Sequence, residues 1–147
     1  LALEGIQDPG NLGTMFRSGE GAGVTGILMD AQTADLFNPK TIRSTMGSIY
    51  RVPFLIVPEL KESILQMQTD GISVYAAHLE GSVCYDEPDY RDPSAFLIGN
   101  EGNGLSDATA ALADQYIRIP MEGQLESLNA AVAASLLMYE TNRQRRG

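Results

Sequence analysis

The sequence predicts an α/β domain built on a mainly parallel sheet with helices on both faces. Three observations carry that expectation. Short apolar runs alternate along the chain with helical patterns. Most of those runs are continuously apolar, as strands covered on both faces require. No repeat, low-complexity segment or linker divides the 147 residues, a length that suits one domain with a substantial core.

The runs read as strands are TGILMD (25–30), VPFLIVP (52–58), ISVYAA (72–77), SAFLIG (94–99) and YIRIP (116–120). Residues 11–23, 39–47, 59–70 and 106–114 read as helices. Asn11 is placed to cap the first helix, and the glycines of AGVTG end it. Ser106 is placed to cap the short helix 106–114. EGSVCYDEPDYRDPS (80–94), acidic and with two prolines, reads as an exposed excursion between strands. The last helix has Ser127 at its N-cap position, with Leu128 and Asn129 in the first turn. No Glu or Gln stands three residues after Ser127, so a capping box is absent.

From Ala130 to Met138 the only polar side chain is Ser135. A helix apolar nearly all round must be covered nearly all round. The expectation is a homodimer with this helix in or near the interface; a fully buried central helix is the other arrangement. Arg143, Arg145 and Arg146 at its C-terminal end complement the helix dipole.

Composition narrows the function. A formal net charge of −9 opposes gripping nucleic acid by bulk electrostatics. No apolar run approaches the roughly 18 residues of a membrane span, and no signal-peptide pattern opens the chain. Cys84 is alone, which excludes an internal disulfide and makes a reducing cytoplasm the natural setting. One Cys and one His, His78, do not make a structural zinc set; packing or exposure is expected of both. The start at Leu1, running at once into ordered-looking sequence, leads us to expect an excised domain whose upstream part is missing.

Two glycine motifs point in different directions. GAGVTG (21–26) matches the dinucleotide pattern G-x-G-x-x-G, but a helix precedes it and a strand follows, the reverse of what a pyrophosphate site needs. A P-loop pattern is absent. IGNEGNGL (98–105) places Gly99, Gly102 and Gly104 directly after an apolar strand, where open α/β sheets hold ligands. Glu101 is the one charged side chain in that loop; a plain strand-to-helix turn is the alternative. IQDPGNLGTMFRSGEGAG (6–23) supplies a second loop, with Asn11 and Arg17 as candidates against plain capping and a solvated arginine. At the third, Ser127 accounts for the cap, which leaves Asn129 as a second polar group at the mouth of an apolar helix. Glu126, Ser127 and Asn129 together therefore point to a site.

DPGNLGTMFRS, FLIGNEGNGL and IRIPMEGQLESLNAAVAASLLMYE, in this order, resemble the three signature motifs of the SpoU (TrmH-like) branch of the SPOUT RNA methyltransferases. The resemblance spans Gln7 to Arg146. It implies a C-terminal trefoil knot, which the rarity of knots would keep any residue-level reading from proposing. It also implies a homodimer, S-adenosylmethionine as methyl donor, and a ribose 2′-hydroxyl of rRNA or tRNA as acceptor. By position, Asn11, Arg17, Glu101, Ser127 and Asn129 fall on the family's catalytic positions. Gly99, Ile119 and Leu128 fall on cofactor-binding positions, and Leu79 in AAHLEG (76–81) matches the strand end beside the adenine pocket.

Methyl transfer to oxygen is an in-line displacement, so no metal is needed. The protein must align the reactants and favour negative charge on the 2′-oxygen. Arginine stays protonated, so Arg17 is expected to act as a cation and not as a base. Two accounts meet the charge objection: clustering of Arg17, Lys40, Arg43 and Arg51, or RNA gripping by a missing upstream domain. The rivals are a methyltransferase acting on a base, and a catalytically silent dimer serving as an RNA- or cofactor-binding module.

Overall fold

The computed structural model describes residues 1–80 and 83–147. Along the chain the elements are β1 (Ala2–Leu3), α1 (Pro9–Ala22), β2 (Ile27–Asp30), α2 (Pro39–Ser44), a 3-10 turn (Ser48–Tyr50), β3 (Phe54–Val57), α3 (Lys61–Thr69), β4 (Ser73–Ala77), β5 (Val83–Cys84), β6 (Ser94–Ile98), α4 (Asp107–Ala110), β7 (Gln115–Arg118) and α5 (Ala130–Arg146). The seven strands form one sheet in the order β3-β2-β1-β6-β4-β7-β5, with every pairing parallel.

Strand alternation sorts the side chains onto two cores. Leu3, Tyr75, Phe96 and Ile98 face α1 and α5, among Leu12, Phe16, Ala134 and Leu137. Ala2, Val74, Ala76, Ala95 and Leu97 face α3 and α4, among Leu60, Ile64 and Ala110. Because both faces are apolar, the runs are continuous in sequence, as a doubly covered sheet demands. The exception is β3, an edge strand whose Leu55 and Ile56 are exposed, so cover on both faces fails there. β1 and β5, of two residues each, fall below the length at which a periodic signal exists.

Two caps differ from expectation. α1 begins at Pro9 and is capped by Asp8, whose carboxylate accepts from the N–H groups of Gly10 and Asn11. An acidic cap followed by proline at the first helical position is a better start signal than Asn11. α5 begins at Ala130, and its cap is Asn129, not Ser127: Asn129 Oδ1 accepts from Ala131 N at 2.9 Å and Val132 N at 3.2 Å. Ser106 does cap α4, and Gly23 ends α1 in the left-handed conformation.

The excursion 80–94 is only partly the exposed loop expected of it; Gly81 and Ser82 lie outside the described residues. Tyr90 is fully buried and packs edge-on against Tyr75 and Phe96. Gln144 of α5 straps this segment down, accepting from Tyr90 N and donating to the Pro88 carbonyl. Burial raises the Tyr90 phenol above its ordinary pKa, so it stays neutral and donates to the Tyr85 carbonyl.

Candidate active site

The strand order reverses beside β1, since β2 and β3 lie on one side of it and β6 and β4 on the other. Glu101 ties the loop after β6 to the loop after β1 at that switch point, and a cavity lies to one side of it. The loops after β4, β6 and β7 line this cavity of about 700 Å³, closed on one side by Ala130 and Ala133 of α5.

Glycine at position 99 is a geometric necessity. A Cβ there would lie 2.1 Å from Leu105 N and 2.2 Å from the Gly104 carbonyl carbon, inside any allowed contact. The loop therefore folds back against its own strand end, and Gly104 completes the turn at φ +68°. Asn100 pins it at both ends: its Nδ2 donates to the Gly5 carbonyl, and its Oδ1 accepts from Gly102 N and Asn103 N. Downstream, the Glu4 carboxylate accepts from Ser106 N, Ser106 Oγ and Thr109 Oγ1. Neither Asn100 nor Glu4 was found from sequence. The only signal was a polar residue immediately after each of two apolar strands.

Glu101 holds the loop after β1. Its carboxylate accepts from Gln7 N at 3.0 Å, Asp8 N at 3.0 Å and Asn11 Nδ2 at 3.4 Å. Burial raises its pKa, but the donors from Gln7, Asp8 and Asn11 outweigh burial and hold the carboxyl below its ordinary range. Asn11 in turn accepts from Asn129 Nδ2 at 3.0 Å. A continuous link therefore runs from the glycine loop through the start of α1 to the start of α5, across residues far apart in sequence. Asn129 uses one end of its amide to cap α5 and the other to reach Asn11. It is exposed, so the cost of burying an amide, which singled it out in the sequence, does not apply.

Of the residues singled out in the sequence, Leu79, Gly99, Glu101, Ile119, Ser127 and Leu128 line the cavity. Glu126 lines it too. Asn11 stands at its mouth through its hydrogen bond to Glu101, and Asn129 through its own to Asn11. Arg17 is not brought there within this chain. Six helical residues turn its side chain roughly 240° from Asn11, and it is exposed on α1 outside the cavity lining. His78, for which packing or exposure was expected, lines the cavity and stacks on Tyr116 with ring centroids 4.8 Å apart. Cys84 is half-buried.

The walls combine apolar side chains (Leu79, Ile98, Ile119, Leu125 and Leu128) with the backbone of the loops that leave three strand ends and with the polar side chains of Asn100, Glu101 and Ser127. That donor set suits a ligand with a flat apolar part and polar appendages. No cluster of His, Cys, Asp or Glu fit to hold a metal occurs among the described residues.

Residues 1–139 match the model of the SpoU rRNA Methylase family. The chain is similar to the Bacillus subtilis 23S rRNA (guanosine(2553)-2'-O)-methyltransferase RlmP, at 38% identity over 95% of the chain and 56% of that protein. Its fold is similar to the crystal structure of the SpoU methyltransferase AviRb from Streptomyces viridochromogenes in complex with AdoMet: TM-score 0.93, 34% identity, 99% of this chain and 57% of that one. An AdoMet-bound rRNA methyltransferase from Sinorhizobium meliloti matches with TM-score 0.89 and 39% identity, over 97% and 54% of the two chains. The chain thus spans a little over half the length of these relatives.

Proposed function

From the premise that this chain belongs to the SpoU rRNA Methylase family, we propose that it transfers a methyl group from S-adenosylmethionine to a ribose 2′-hydroxyl of rRNA or tRNA. The observation that carries the reading is the Glu101–Asn11–Asn129 link at the mouth of the 700 Å³ cavity. It joins the three motifs into one wall, with cofactor-sized space behind it.

The cavity fits the cofactor by the chemistry of its lining. Leu79, Ile119 and Leu128 would hold the adenine, and the folded-back loop at Gly99 would present backbone groups to the nucleoside. Bound S-adenosylmethionine supplies an electrophilic methyl carbon on a sulfonium, so the chain's task is alignment and charge stabilisation. Glu101 fixes the loop after β1 and orients Asn11. Asn11 and Asn129 position the ribose edge, and Ser127 with Glu126 shapes the rim. Arg17 supplies a permanent positive charge for the 2′-oxygen and its neighbouring phosphate.

Arg17 stands away from the cavity in one chain, which favours a homodimer. Val132, Leu136 and Tyr139 form an exposed apolar stripe on α5 at helical spacing. With Thr14 of α1 they line an apolar groove, and Arg17 follows Thr14 by one turn. A second copy seated there covers the stripe and brings Arg17 to the edge of the interface, where it serves the assembled site. The family's trefoil knot, and action in the cytoplasm, complete the proposal. No helix among the described residues is long and apolar enough to cross a membrane.

Calorimetry with S-adenosylhomocysteine, paired with methyl transfer to RNA by wild type and Arg17→Ala, tests the reading. Binding by both proteins and turnover by wild type alone is the expected result. Absence of binding favours the catalytically silent module, and full turnover by Arg17→Ala removes Arg17 from the mechanism.

A further inference from the structure

The chain carries 19 acidic and 10 basic residues, yet residues 36–58 contain Lys40, Arg43 and Arg51 and no acid. This is the longest acid-free stretch in the sequence, and it folds as a single flank of the molecule. α2 packs across α1 at Gly13, where a Cβ would lie 2.3 Å from Ser44 Cβ. Lys40 Cε sits 3.9 Å from the corresponding Cβ position of Gly10. Two turns further along α1, Glu20 pairs with Arg51 at 2.8 Å. Gly13, Arg17 and Glu20 are spaced to lie on one stripe of the helix, which sets Arg17 between the Ser44 contact and the Arg51 pair. Lys40, Arg17 and Arg51 therefore follow one another along α1, starting beside Asn11.

The same flank exposes large apolar side chains, of which Phe37 leans edge-on against Phe54 while Tyr50 and Met46 stand in solvent. Tyr50 is 81% exposed, Met46 66% and Phe37 59%. Met46 is also the sole non-glycine residue at positive φ among the described residues, at +51°. A side chain in that conformation is strained, and here the strain is not offset by burial. Arg51 is taken up by Glu20, which leaves Lys40, Arg43 and Arg17 beside the exposed rings; exposed aromatic faces interleaved with cations are what unstacked nucleotides bind, the rings stacking on bases while the cations meet phosphates.

We propose that this flank is a track for single-stranded RNA leading into the methylation site, with Lys40, Arg43 and Arg17 on phosphates and Tyr50, backed by Met46, under a base. The proposal rests on the reading of the chain as an RNA methyltransferase and refines its substrate: the target nucleotide lies in an unpaired segment, and bases beside it are splayed onto the protein. A paired helix offers no base face to Tyr50 and is bound more weakly.

The test is fluorescence anisotropy of the 147-residue chain with a short labelled single-stranded oligoribonucleotide of mixed sequence, at low ionic strength, against a blunt RNA duplex. Tyr50→Ala should weaken single-strand binding roughly ten-fold, while Tyr50→Phe, which keeps the ring, should stay within about two-fold of wild type. Lys40→Ala and Arg43→Ala should each flatten the salt dependence by about one phosphate contact. Melting temperature and S-adenosylhomocysteine affinity should not move in any of the four. No single-strand binding by wild type, equal affinity for the duplex, or equal losses for Tyr50→Ala and Tyr50→Phe would overturn the track. A fall in sedimentation mass on Tyr50→Ala would reassign the flank to self-association and overturn it too. Tyr50-dependent binding without any 2′-O-methylation would keep the track and reject the enzyme reading, so the two fail separately.

Discussion

The two sides of α1 are built on opposite principles. Toward the cavity, its N-terminus is tied by side-chain hydrogen bonds to the glycine loop and to α5, and the glycine loop allows no spare atom at Gly99. Toward α2 and the 3-10 turn, beyond the tight Gly13–Ser44 contact and the Arg51–Glu20 pair, Lys40, Arg43 and the Tyr50 ring stand in solvent, and one residue holds a strained backbone without burial in return. The contrast separates two tasks. A small cofactor is recognised by geometry fixed in advance, whereas a flexible polymer is met by groups left unsatisfied until it arrives.

The contrast can be broken from the rigid side first. Gly99→Ala forces a methyl group into the backbone of Gly104 and Leu105. A destabilisation of about 3 kcal/mol and loss of S-adenosylhomocysteine binding are expected, read by thermal melting and calorimetry. Asn129→Ser should separate the two uses of that residue. Serine keeps a helix cap, whose loss costs about 1 kcal/mol, but is too short to carry the amide contact to Asn11. Turnover should fall at least ten-fold, with a melting temperature close to wild type. Full turnover would leave Asn129 as a cap alone.

Glu101 gives the pH version of the same test. Its folded pKa is held below the ordinary carboxylate range. Its contribution is therefore complete above the unfolded pKa and lost as pH falls through the lowered one. Wild type should lose loop order and cofactor affinity on acidification through that window, and Glu101→Gln should show a flatter acid limb in calorimetric titrations.

On the open side, Leu136→Glu places a charge in the apolar stripe of α5. It should shift sedimentation from dimer to monomer and remove turnover while cofactor binding persists. The smallest effect is expected at Met46→Gly, which relieves the left-handed strain. The fold should gain about 1 kcal/mol while single-strand RNA affinity drops a few-fold.

What was legible in the sequence follows the same division. The five longer strands, the glycine loop and the α5 stripe announce themselves because each depends on residue type over several positions. β1 and β5 escape because two residues carry no period, yet β1 is an interior strand of the sheet, paired on both sides. Ser106 caps its helix as expected, but the other two cap assignments miss by three and two residues: Asp8 and Asn129 win where Asn11 and Ser127 were expected, since a cap is decided by backbone geometry at one position. That freed Asn11 to join the polar link, a role no local pattern encodes. Arg17 is the converse case. Its motif sets it beside Asn11 in sequence, but the helical turn carries it to the other face.

Mass spectrometry of nuclease-digested RNA after incubation with the chain and isotope-labelled S-adenosylmethionine tests the central claim most directly. The label should appear in a 2′-O-methylnucleoside, with none formed by Arg17→Ala. Label on a base, or no cofactor-dependent label with an RNA that the chain binds, would contradict the account.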